Sequence, residues 1–133
     1  MQSDNRFQQN KMEYVVEEFA NAFGENMRLL DKPEKIGPMD AFVLCYEYLP
    51  LKYKIKFDTE RKFFTILILN GENEFVSLGE IEKYDSELTP EKVRAAIIQL
   101  KGILQKNNFC FSIIRGKHVY KKSGEDYKRI KNF

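Results

Sequence analysis

The chain is poor in the residues that active centres are usually built from: one histidine and two cysteines among 133 positions. A tetrahedral zinc site needs four close ligands, which a single His and two scattered Cys cannot supply. Cys45 and Cys110 each sit inside an apolar run, FVLCYEY and FCFSII, where a thiol reads as a small core residue. His118 has no nucleophile partner, and neither a Walker-type phosphate loop nor an HExxH motif is present. Close carboxylates such as Glu72/Glu74 and Glu80/Glu82 read as solvated surface rather than an acid–base pair. No catalytic residue, metal-ligand set or cofactor is expected, and the chain reads as a non-enzyme.

Long apolar runs are missing too. None approaches the roughly 20 residues that a membrane helix requires, and the first stretch, MQSDNRFQQNK, is polar with no signal-like hydrophobic region. A cytoplasmic protein with reduced thiols is the expectation. Nor is there a large charge imbalance, since the net charge is +2. The charge is unevenly placed, however. From Arg115 onward the basic residues are Arg115, Lys117, Lys121, Lys122, Lys128, Arg129 and Lys131, against only Glu125 and Asp126. Such an end can steer a polyanion or simply be a solvated terminus.

What the chain does have is apolar material, 43% of its residues, enough to give one domain a real core. Asn10-Lys11-Met12-Glu13 has the form of a capping box. The spacing of Met12, Val15, Val16, Phe19, Phe23, Met27 and Leu30 predicts an amphipathic helix over about 11–30. DKPEKIGPMD must be a loop. AFVLCYEY and the alternating KYKIKF predict two strands, the second burying Tyr53, Ile55 and Phe57. The run from Phe63 to Leu69 suits a buried strand or a buried helix, and Asn70-Gly71 suits a hairpin turn or a helix end. Ser77-Leu78-Gly79-Glu80 opens a short helix to about Tyr84. Thr89-Pro90-Glu91 opens a longer one to about Lys106, with Val93, Ala96, Ile97, Leu100, Ile103 and Leu104 as its stripe. FCFSII and HVYKK then predict a hairpin tipped by Arg115-Gly116-Lys117-His118.

A short helix, a longer helix and a two-stranded flap follow in winged helix-turn-helix order. The stretches ILILNGENEFVSLGEI, VRAAIIQLKGILQ and FSIIRGKHVY resemble the N-terminal winged-helix domain of the biotin ligase/repressor family. More loosely, they resemble effector domains of OmpR/PhoB-type response regulators. The resemblance covers about half the chain and does not reach a ligase catalytic domain, so ligase activity is not implied. It departs from the pattern at Gly102, which costs about 1 kcal/mol inside a helix relative to alanine. It departs again at Glu91, whose carboxylate would repel phosphate.

The resemblance implies a non-enzymatic, double-stranded-DNA-binding regulator or accessory factor. Its fold would be α+β, a winged helix-turn-helix with an N-terminal helix and a small antiparallel sheet. Residues 1–57 would be the N-terminal extension, 58–122 the winged unit and 123–133 a basic tail, within one compact domain. Residues 89–106 would be the recognition helix and 109–122 the wing. Lys92, Arg94 and Gln99 would reach base edges, while Ser77 and Thr89 would meet phosphate. Arg115, Lys117 and His118 would meet the backbone or minor groove. The 11–30 helix would either form a homodimer interface or pack on its own sheet. The alternative keeps Phe63–Leu69 as a strand and gives a small α+β protein-binding module, such as an inhibitor, immunity or chaperone-like protein, with no nucleic-acid role.

Overall fold

Asn10 begins the first helix as its sequence suggests, its side-chain oxygen accepting the Glu13 amide at 3.1 Å. The computed structural model describes residues 7–71, 73–115, 118–123 and 126–132, with side chains through Ile113. Helix α1 (Lys11–Phe23) ends seven residues before the expected Leu30, at Gly24. There φ is +56°, a backbone that a side chain would resist, and the helix cannot continue. Met27 and Leu30, which fit the helical spacing, instead lie in strand β1 (Met27–Asp31). Their period-four spacing was coincidental.

Strands β2 (Phe42–Tyr48), β3 (Tyr53–Glu60), β4 (Phe63–Asn70) and β5 (Glu74–Ser77) follow as an antiparallel meander. After β5 come the short helix α2 (Leu78–Ile81), the long helix α3 (Pro90–Lys106) and strands β6 (Ser112–Arg115), β7 (His118–Ser123) and β8 (Asp126–Asn132). Among the described residues the eight strands make one sheet in the order β1 to β8. The run over 63–70 is therefore a strand, not the first helix of a winged unit, and Gly71 (φ +70°) turns it into β5. A boundary between 57 and 58 would cut β3 in the middle, and the expected basic tail contains β8. The hairpin begins at Ser112, not at Phe109.

Alternation along the strands decides which face is inside. Phe42, Leu44, Tyr46 and Tyr48 of β2, Ile55 and Phe57 of β3, and Phe64, Ile66 and Ile68 of β4 are all buried. They form one cluster with Val15, Phe19 and Phe23 of α1 and with Val93, Ile97, Leu100 and Leu104 of α3. Two helices thus cover one face of the sheet. Phe19 anchors α1 by stacking on Tyr46 (centroids 4.3 Å apart) and meeting Phe57 edge-on at 6.0 Å. Burying each large apolar side chain contributes roughly 1.5–3 kcal/mol before chain entropy. The α1 stripe is therefore committed to its own sheet, and the alternative of a homodimer through residues 11–30 has no free apolar stripe to use.

Thr59, 2% exposed, is the polar exception in this layer. Its hydroxyl accepts the Phe42 amide at 3.0 Å and donates to the Asp40 carbonyl at 2.7 Å, closing the chain into β2. The opposite face of the sheet carries Val43, Cys45 and Glu47 of β2, Lys54, Lys56, Asp58 and Glu60 of β3, and Phe63, Thr65, Leu67 and Leu69 of β4. All of these are exposed or half-buried.

Candidate functional site

Thr89 is a true helix cap: its hydroxyl accepts the Lys92 amide at 3.3 Å, and Pro90 occupies the first helical turn. These contacts orient α3, and its buried stripe faces the sheet and α1 as the spacing predicted. The polar residues expected to read DNA are engaged within the chain. Lys92 is ion-paired with Asp85 of the preceding loop. That hydrogen bond holds the Asp85 carboxyl below its ordinary value and the Lys92 ammonium above its own. Arg94 reaches α1, bonding the Glu18 carboxylate at 3.3 Å and the Tyr14 hydroxyl at 3.1 Å. Gln99 donates to the carbonyls of Glu82 (3.2 Å) and Lys83 (3.1 Å), pinning the loop after α2.

Ser77 stands at the N-cap of α2, yet its hydroxyl donates to the Glu80 carboxylate at 3.1 Å rather than accepting an amide. Arg115 and His118 are the last backbone pair of β6 and β7. Lys117 and the side chains of Arg115 and His118 lie outside the described residues. The structure therefore gathers Lys92, Arg94 and Gln99 onto one helix but points each toward a different neighbour. Among the described residues no three His, Cys, Asp or Glu side chains are placed to hold a metal. No helix among them is long and apolar enough to cross a membrane.

A cleft lies elsewhere, at the junction of β5 and β6. The ladder between β5 and β6 has only two pairs, Glu74↔Ile113 and Phe75↔Ser112, although β5 runs on through Val76 and Ser77. The incoming chain, 108–111, is not in the strand and diverges from β5. Between them and the second half of α3 opens a cleft of about 640 Å³, with Val76, Ile81, Ile103 and Phe109 as its apolar wall. That volume lies within the range that accommodates a small molecule or inserted side chains. Glu80, Glu82 and Lys106 line it as well.

Gly102 lies in that wall, inside α3. A Cβ built on it meets nothing within 4 Å, so nothing among the described residues requires a glycine there. The sequence marked Gly102 only as a departure from the winged pattern; a mid-helix glycine with no packing reason was the available signal for this cleft. The lining from Val76 and Phe109 was not legible, because it depends on how far two strands pair. Compared with protein-family models, curated proteins and solved structures, the chain matches none.

Proposed function

We propose that the protein is a small α+β binding module that holds a segment of another polypeptide in the cleft between α2, α3 and the β5–β6 junction. The observation that carries this reading is Gly102. It weakens α3 by about 1 kcal/mol relative to alanine and leaves open space above the helix within the cleft. A bare stretch of helix lets an incoming backbone or side chain approach closely. Ile81 and Phe109, both half-buried, give a mostly polar cleft an apolar patch that suits a single apolar anchor. Glu80 and Glu82 favour a basic neighbour beside that anchor.

The test is capture from native lysate, with and without nuclease, by the wild-type protein and by Gly102→Leu. The leucine improves helix propensity and fills the cleft, so the fold should persist while the site closes. A polypeptide retained after nuclease by wild type and lost by Gly102→Leu supports the reading. Equal retention by both removes the cleft from it.

A DNA-binding role is the second reading, favoured by the β6–β8 end of the sheet. Lys121 and Lys128 are directly opposed across β7 and β8, and Tyr120 is opposite Arg129. Here the cations of β7 and β8, rather than Lys92, Arg94 and Gln99, would meet phosphates. Duplex binding that falls steeply with salt, and weakens in Lys121→Ala/Lys128→Ala, supports this second reading; salt-independent or absent binding sinks it.

A further inference from the structure

We infer that the uncovered face of the sheet is the two-fold interface of a homodimer, distinct from the cleft on the helix-bearing side. Along β3 this face presents Lys54, Lys56, Asp58 and Glu60, two cations followed by two anions at period two. None of the four has an ion pair among the described residues. Their cross-strand neighbours are mostly apolar. Cys45 and Leu67 flank Lys56, Leu69 and Glu47 flank Lys54 (Glu47 being ion-paired with Arg28), Val43 and Thr65 flank Asp58, and Phe63 lies opposite Glu60. Val43 and Phe63 remain 36% and 59% exposed. A central strand with unpaired charges set in apolar surface is a poor final surface for a monomer.

The charge order is complementary to itself. Consider a second copy laid face to face, related by a two-fold axis midway between the two sheets, parallel to them and crossing the strands at Phe57. Each β3 then runs antiparallel over its mate. Lys54 faces Glu60 of the second copy, and Lys56 faces Asp58. The same operation sets Phe63 over Leu69, Thr65 over Leu67 and Val43 over Cys45. An isologous contact requires this reciprocity, residue i meeting j while j meets i. An axis along the strands would instead stack Lys54 on Lys54 and Asp58 on Asp58, so the charge order selects one of the two possible arrangements. A depression of about 400 Å³ lined by Asp58, Glu60, Arg61, Phe63 and Thr65 lies where Lys54 and Leu69 of the second copy would arrive, its two carboxylates outnumbering the one guanidinium.

The size of the face sets the strength. Strands β2, β3 and β4 face their own mates under this axis, whereas β1 and β5 both lie on the Lys54 side of it and do not. Three strands at a spacing of roughly 4.8 Å and a length of roughly 24 Å give about 350 Å² per copy. That is below the size of a stable specific interface, so the dimer should be weak, transient and salt-sensitive.

Sedimentation equilibrium of the full chain over a concentration series, at low and high salt, tests the proposal with two variants. One is Lys54→Glu/Lys56→Glu, which makes the β3 row wholly acidic. The other is Asp58→Lys/Glu60→Lys, which makes it wholly basic. Wild type should dimerise, and more weakly in high salt. Each variant alone should dimerise about a hundredfold more weakly, because like charges now meet. An equimolar mixture of the two should form a heterodimer, since every facing pair is again opposite. Gly102→Leu should dimerise like wild type, which separates this proposal from the cleft. A monomeric wild type at every concentration, variants that associate as wild type does, or a mixture that fails to associate would each overturn it.

Discussion

Tyr46 gives the sharpest test of the core. Its ring is 3% exposed and stacked on Phe19, so it contributes as any large aromatic would. Its hydroxyl, however, is buried with no hydrogen-bond partner among the described residues. Replacing Tyr46 with Phe keeps the stack and removes only that oxygen. Leaving a buried hydroxyl unsatisfied costs about 1–3 kcal/mol, so Tyr46→Phe should stabilise the fold by about 1 kcal/mol. For a chain of this length that is about 4 °C in Tm. The pH dependence has a definite sign. Burial, and then the negative field of Glu13, hold the Tyr46 phenol well above its ordinary value of 10.0. The folded state therefore keeps its proton when the unfolded chain loses it, and stability falls as pH rises above about 10. Denaturant unfolding at pH 7 and at pH 10.5 or higher, with m unchanged, measures both effects. Tyr46→Phe should shift the midpoint upward at pH 7 and remove part of the alkaline loss. If the variant is destabilised instead, the hydroxyl has a partner and the reasoning fails.

Thr59→Val should cost about 2 kcal/mol, because it strands the Phe42 amide and the Asp40 carbonyl that the hydroxyl serves; a neutral result by denaturant unfolding would mean those groups find other partners. Gly102→Ala should raise stability by about 1 kcal/mol, with no new contact to disturb the helix, and a loss of Tm would show that the glycine is needed by the fold. Arg94→Ala should cost well under about 1 kcal/mol, since the pair with Glu18 leaves Arg94 49% exposed and open to screening. A double-mutant cycle with Glu18→Gln, in low and high salt, should find a small coupling that shrinks with salt.

The parts of the fold that sequence alone predicted are those whose signal is local. Thr89-Pro90-Glu91 places the start of α3 within its own first turn, and its end comes at Asn107, whose φ of +49° closes the helix on the Ile103 carbonyl. The start of α1 was local in the same way. Its end was not, because Met27 and Leu30 happened to continue the helical spacing and only the glycine at 24 marked the stop. The run over 63–70 was ambiguous for a physical reason. Phe64, Ile66 and Ile68 face the helices, while Leu67 and Leu69 are half-buried on the other face. A strand apolar on both sides has no period to read.

The candidate site was less legible because what decides a polar side chain's role is its tertiary partner. Lys92, Arg94 and Gln99 have the chemistry of groove readers, and spacing correctly put them on one helix. Nothing near them in sequence announces that Glu18, seventy-six residues away from Arg94, will take its guanidinium, or that two loop carbonyls will take the Gln99 amide. Conversely, the row Lys54, Lys56, Asp58 and Glu60 was written plainly at period two in KIKFDTE, and only pairing on both edges of β3 makes it central to a face. A charge pattern acquires meaning once topology fixes what can reach it. Among the described residues, Arg94 and Lys92 are cations satisfied by their own chain, whereas Lys54 and Lys56 are not. The second pair therefore carries more information about a partner than the first, although the first looked more like a binding motif.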